Sequence, residues 1–210
     1  MNKREIRSFG GAIETRAEDD GHILLRGQPI VFNQKTDIGG YFEEEIASGA
    51  IEDKILRDVC LLVNHDFESI PLARSRNNNK NSNLRFSVGA DAVDMESDLD
   101  PKNPRALEVD SAVARGDMPG MSFAFSVAED KWDRLDTDYP KRTITRMDKI
   151  WEVSICTWPA YTGTSIQSER SLESGLESLK RAREELESAR VRSARIADLN
   201  KRLEEINHHD

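Results

Sequence analysis

Gly120-Met121-Ser122-Phe123-Ala124-Phe125-Ser126-Val127 is the stretch whose reading decides the fold. From Met121 onward it alternates: Ser122, Ala124 and Ser126 point one way, and Phe123, Phe125 and Val127 the other. Period two with aromatic and β-branched side chains is the pattern of a half-buried strand. Ser122 follows Pro119-Gly120, so it stands where a loop opens onto a sheet. A nucleophile suits that place, and so does an ordinary strand serine. The rest of the chain decides between them.

Working outward, Ile150-Trp151-Glu152-Val153-Ser154-Ile155-Cys156-Thr157-Trp158 reads as another strand, closed by Pro159-Ala160-Tyr161. Residues 131–134 and 143–147 flank a turn at Tyr139-Pro140 and read as a hairpin. Upstream, Pro104 to Arg115 reads as a helix that delivers the chain to the serine strand. Asn103 or Asp100 starts it, Leu107, Val109, Ala112 and Val113 are its apolar positions, and Gly116 ends it. Val59 to Val63 is a nearly continuous apolar run, consistent with a strand buried on both faces, and it ends in Asn64-His65-Asp66. Residues 4–16 read as a strand broken at Gly10-Gly11, and 22–32 as a strand with a bulge or edge at Gly27 and Pro29. Residues 33–40 read as a loop, 42–51 as the lead into a short helix over Ala50–Arg57 capped by Ser48, and 74–83 as a hairpin tip. Leu84 to Val88 resumes alternation, and 95–103 reads as an acidic loop. Many short strands with a few helices predict a mainly β, α+β fold: an antiparallel β-barrel core with surrounding helices.

Composition sets limits on function. The 210 residues carry a net charge of −9, which disfavours the phosphate neutralisation that nucleic-acid binding requires. No apolar run is long enough to span a bilayer, and the charged N-terminus lacks the apolar segment of a secretory signal. The two cysteines, Cys60 and Cys156, lie in apolar, strand-like runs and read as buried thiols of a cytosolic protein without disulfides. No Cys-x-x-Cys or His-x-x-x-His spacing supplies a zinc site.

From about residue 165 the composition changes. Residues 169–210 carry net charge −1, against −8 before them, and contain no proline. Leu172, Leu176, Leu179, Leu186, Ile196, Leu199, Leu203 and Ile206 recur at spacings that include three, four and seven, giving an amphipathic helix with a narrow seam. Gly175, Ala182, Ala189 and Ser193 interrupt that seam, so the helix calls for a partner. The expected division is a domain over 1–165 and a helical tail over 166–210.

Of four histidines, His208 and His209 are C-terminal and His22 opens a strand beside Asp19, Asp20 and Gly21. His65 is left, at the polar end of the most apolar run. A serine hydroxyl needs a base within hydrogen-bond reach, and an imidazole in turn needs an acceptor on its other nitrogen. Glu152 sits in an otherwise apolar strand, where a carboxylate is costly unless paired. A surface face for Glu152 and a structural role for His65 explain the same residues.

Four segments resemble the tailed-phage prohead maturation proteases. Gly120-Met121-Ser122-Phe123-Ala124-Phe125 is similar to their nucleophile motif and Leu62-Val63-Asn64-His65-Asp66 to their histidine motif. Trp151-Glu152-Val153-Ser154-Ile155 with Pro159-Ala160-Tyr161 is similar to their third motif, and Phe42 to Ile51 to a further segment. The similarity spans roughly residues 5–165 in the family's order. It implies kinship with the herpesvirus assemblins, β-barrels with flanking helices, whose second histidine is Glu152 here. Ala124 stands where many relatives have glycine.

The resemblance implies a serine endopeptidase with Ser122 as nucleophile, His65 as base and Glu152 orienting His65, Asp66 and Asp148 being competing carboxylates. Arg142, Arg146 or backbone N–H groups are oxyanion candidates. The implied substrates are the scaffolding region of the major capsid protein and the protease itself, inside a prohead assembling in the host cytoplasm. No metal or organic cofactor, nucleic acid or membrane is called for, and a homo-oligomer fits. The rival expectation is a non-catalytic assembly or scaffolding protein on the same fold, acting through the tail.

Overall fold

The computed structural model describes residues 4–9, 12–17, 21–158 and 169–207. Its strands in chain order are β1 (Glu5–Phe9), β2 (Ile13–Ala17), β3 (Ile23–Val31), β4 (Thr36–Ile38), β5 (Phe42–Ile46), β6 (Cys60–Val63), β7 (Ala73–Arg74), β8 (Leu84–Val88), β9 (Ala92–Leu99), β10 (Gly120–Asp133) and β11 (Lys141–Cys156). Helix α1 is Pro104–Ala114 and helix α2 is Glu169–Asn207. The glycine break at 10–11, the Pro159-Ala160-Tyr161 closure, Asp19, Asp20, His208 and His209 lie outside the described residues. Contacts divide the chain into two compact units, 1–174 and 175–210.

The first unit is mainly β, as expected, but its described strands form no closed barrel. They divide into a mixed seven-stranded sheet and an antiparallel four-stranded sheet ordered β2-β3-β9-β8. In the larger sheet β10 lies between β1 and β11, and β5 and β6 both join β11 in parallel. The expectation of a purely antiparallel core fails there, because short strands read from periodicity carry no record of which way a neighbour runs. The serine strand and the Ile150–Trp158 strand are halves of one long hairpin, β10-β11, with its turn around Tyr139-Pro140.

Three local expectations are corrected. The acidic loop at 95–103 is largely strand β9: Val93, Met95, Ser97 and Leu99 point inward, while Glu96 and Asp98 point out and pair with Arg85 and Arg26. Cross-strand arginines make an acidic strand face affordable. The helix over Ala50–Arg57 is only a 3₁₀ turn at Asp53–Leu56, Phe42–Ile46 is strand β5, and the Ser48 hydroxyl donates to the Ala90 carbonyl instead of capping. On α1, Asn103 caps as expected, accepting from the Arg105 N–H at 3.1 Å. Its inward residues are Ala106, Val109 and Val113, with Leu107 exposed.

The two sheets share one apolar core in which Phe123 and Phe125 stack at 4.7 Å between centroids. Gly27 in β3 is required by this contact, since a Cβ there would stand 2.5 Å from the Met121 sulfur. The small-sheet backbone thus presses on the residue preceding Ser122.

A buried ionic network ties four strands of the large sheet together. Arg7 of β1 binds Glu44 of β5 at 2.6 Å and Glu5 at 2.7 Å. Arg142 of β11 binds Glu5 and Glu44 at 2.9 Å each and Asp130 of β10 at 2.7 Å. Burial alone would raise the Glu5 carboxyl pKa, but Arg142 and Arg7 hold it below its ordinary 4.5. Its contribution to stability is therefore present above pH 4.5 and drains away as pH falls through the depressed value. Removing one member strands the others: Arg142→Met should cost about 3–5 kcal/mol in urea unfolding at pH 7. A loss below 1 kcal/mol would show that the network holds nothing together.

Candidate active site

The β10-β11 ladder places Ser122 directly opposite Ser154, and Ala124 opposite Glu152. On the far side of β11 the parallel ladder sets Leu62 beside Ser154 and Cys60 beside Glu152. Because side chains on paired strands share faces, Ser122, Ser154, Glu152, Leu62 and Cys60 line one face of the large sheet. Phe123, Phe125, Val153 and Ile155 take the other face, toward the core. Ser122, Ser154 and Glu152 are each 0% exposed.

His65 reaches this face through a turn. Strand β6 ends at Val63, and Asn64 and His65 follow with φ of 51° and 57°. Two successive non-glycine residues in the left-handed region are strained, and local bonds must hold them. The Asn64 N–H donates to the Ile155 carbonyl at 3.0 Å, and the Asn64 side chain exchanges two bonds with Thr157. The His65 N–H donates to Ser154 Oγ at 3.0 Å.

The result is a direct contact between two of the three expected residues. His65 Nδ1 lies 2.8 Å from Glu152 Oε1, and the Ser154 hydroxyl donates to Glu152 Oε2. Ser154 thus touches both the backbone of His65 and the carboxylate that meets its ring, a role its position in an alternating strand does not reveal. Asp66 instead lies 3.7 Å from Arg105, and Asp148 accepts from Ser126 at 3.3 Å. Ser122 enters through the ladder, its hydroxyl donating to the Arg7 carbonyl of β1 at 2.9 Å.

The oxyanion candidates go elsewhere. Arg142 is committed to the buried network, and Arg146 pairs with Glu129 at 2.6 Å. Cys156 is buried as expected, its thiol donating to the Ser154 carbonyl at 3.9 Å, while Cys60 is only half-buried. Among the described residues no group of three His, Cys, Asp or Glu side chains is placed to hold a metal ion.

Burial works against an imidazolium at His65. The neighbouring Cys156 side chain and the Glu152 carboxylate outweigh it and raise the pKa from 6.5 to about 10. Its charge-dependent stabilisation is therefore complete below pH 6.5 and is lost as pH rises through about 10. An NMR titration of the His65 ring in the full chain should find it protonated at pH 8. Glu152→Gln should return the midpoint toward 6.5. A wild-type midpoint already near that value would contradict the contact.

Residues 11–178 match the family model of the caudovirus prohead serine protease. The prohead protease of Enterobacteria phage HK97 is 25% identical over 160 residues, covering 75% of this chain and 64% of that protein. The chain therefore spans less than two thirds of that relative's length. No solved structure matches it. With four fifths of its residues under the family model, the chain belongs to the caudovirus prohead serine protease family.

Proposed function

We propose that this protein is a serine endopeptidase of prohead maturation, with Ser122, His65 and Glu152 as its catalytic residues. The observation that carries the reading is the His65–Glu152 contact at 2.8 Å on the sheet face that also bears Ser122. Ser122 Oγ attacks the scissile carbonyl carbon, and its proton passes to Nε2 of a neutral His65. The imidazolium so formed is held by Glu152 through Nδ1–H, and the same proton then goes to the leaving amine. Water repeats the sequence on the acyl-enzyme. Backbone N–H groups near the nucleophile are left for the oxyanion, since Arg142 and Arg146 are engaged elsewhere.

The raised His65 pKa has a consequence for rate. A protonated imidazole cannot accept the serine proton, so the base form is scarce at neutral pH and grows as pH rises. The rate constant kcat/KM should climb through pH 8 to 9. A flat profile over that range would contradict the assigned base.

We assign as substrates the scaffolding segment of the major capsid protein and the chain itself, in a prohead assembling in the host cytoplasm. Residues 166–210 form the second functional part. Val191, Ile196, Leu199 and Leu203 of α2 are 50–59% exposed, a seam suited to a helical scaffold segment. No described helix is long and apolar enough to cross a membrane.

Co-expression with the cognate capsid protein, read by intact mass, tests the assignment. Wild type should yield capsid and self fragments, and Ser122→Ala none. Uncleaved masses in both would favour an assembly role without catalysis, and cleavage in both would mean another nucleophile. Deleting residues 170–210 should abolish packaging into the prohead while sparing cleavage of a short peptide. Retained packaging would contradict the role given to α2.

A further inference from the structure

A pocket of about 290 Å³ opens on the sheet face that carries Ser122 and Glu152. Glu152 and Cys60 form part of its lining, with Phe67, Trp151, Lys149 and Arg74 around them. A bulge explains how two consecutive residues of β11 both reach it. Ala124 pairs with Glu152 and Phe125 with Ile150, so Trp151 is the extra residue of the ladder and is turned toward its neighbour's side.

The lining carries two carboxylates, Asp58 and Glu152, and two cations, Arg74 and Lys149. Arg74 is satisfied by Asp58 through two bonds of 2.7 and 2.9 Å, and Glu152 by His65 and Ser154. Lys149 of the lining, and Arg4 beside it, are left over aromatic walls. Arg4 lies 4.2 Å from the Phe67 ring centre and 5.7 Å from that of Trp151, and Lys149 lies 5.7 Å from Trp151. A ring face supports a cation without neutralising it. By contrast, a larger cavity of about 590 Å³ on the small sheet has its arginines, Arg26 and Arg85, paired with Glu96 and carries further carboxylates at Glu14 and Asp94.

We propose that the pocket beside Glu152 is a subsite for an acidic side chain, glutamate or aspartate, of the segment to be cut. The methylene stem would lie against Phe67 and Trp151, and the carboxylate would meet Lys149 and Arg4. A lysine or arginine in the same place would meet like charge. This assignment rests on the protease reading above, since it treats the occupant as part of a substrate.

Digesting a random octapeptide library with the full chain, and sequencing the products by mass spectrometry, tests it. Wild type should enrich Asp and Glu about fivefold at one fixed distance from the cut. Lys149→Glu, an exposed change outside the catalytic group, should erase that enrichment while still cutting peptides that lack it. Lys149→Arg should retain it. Cleavage that depends on Ser122 but has no acidic preference, or keeps it in Lys149→Glu, overturns the subsite alone. Absence of any Ser122-dependent cleavage overturns the protease reading and the subsite with it. Alkylation of Cys60 reads the pocket without catalysis: relative to N-acetylcysteine amide, iodoacetate should gain on iodoacetamide in wild type and lose in Lys149→Glu. Equal ratios in the two proteins would count against a cationic pocket.

Discussion

Two arginines and two carboxylates buried in one network, with the partly buried Asp130 joined to it, set the frame of the large sheet. Glu5 and Arg7 come from β1, Glu44 from β5, Asp130 from β10 and Arg142 from β11, and each finds an opposite charge within 3 Å. Such a cluster adds little net stability over well-packed apolar groups, since desolvation offsets most of the attraction. What it adds is register. A slip of β1 by one residue along β10 would turn Glu5 and Arg7 to the opposite face and leave Glu44 and Arg142 buried without them. The same register sets the Arg7 carbonyl against the Ser122 hydroxyl.

Behind that frame, the site face is shaped by local departures from ideal geometry. Without the bulge at Trp151, strict alternation would carry that side chain to the opposite face from Glu152. Without two left-handed residues after β6, the chain would continue as a strand and carry His65 past Glu152. The left-handed pair is held by neighbours rather than by its own preference: Asn64 by Thr157, and His65 by Ser154. Strain concentrated where a candidate base is aimed is what a fold accepts when position matters more than local stability.

Electrostatics at His65 pull in two directions. Pairing with Glu152 fixes the ring and its tautomer, which a general base needs. The same pairing, with Cys156 beside it, favours the imidazolium, which a general base must not be in its resting state. The arrangement holds the proton that catalysis would have to displace, so proton affinity and orientation come from one contact and cannot be adjusted independently.

Much of the candidate site was legible in the sequence. Ser122 on an alternating strand, His65 at the end of an apolar run and Glu152 as a carboxylate out of place are each local signals, and each survives in the structure as a strand or strand-end residue. So are the Asn103 cap of α1 and the helical run of the tail, since capping and periodicity act over a few residues. What the sequence could not contain is which strands meet. That β5 and β6 run parallel to β11, that Ser154 bridges His65 and Glu152, that Arg142 is consumed by Glu5 and Glu44, and that β9 is a strand despite its acids all depend on pairings that reach up to 137 residues along the chain. Local pattern specifies which face of an element is apolar. Only tertiary pairing decides what that face, or the charge opposite it, is set against.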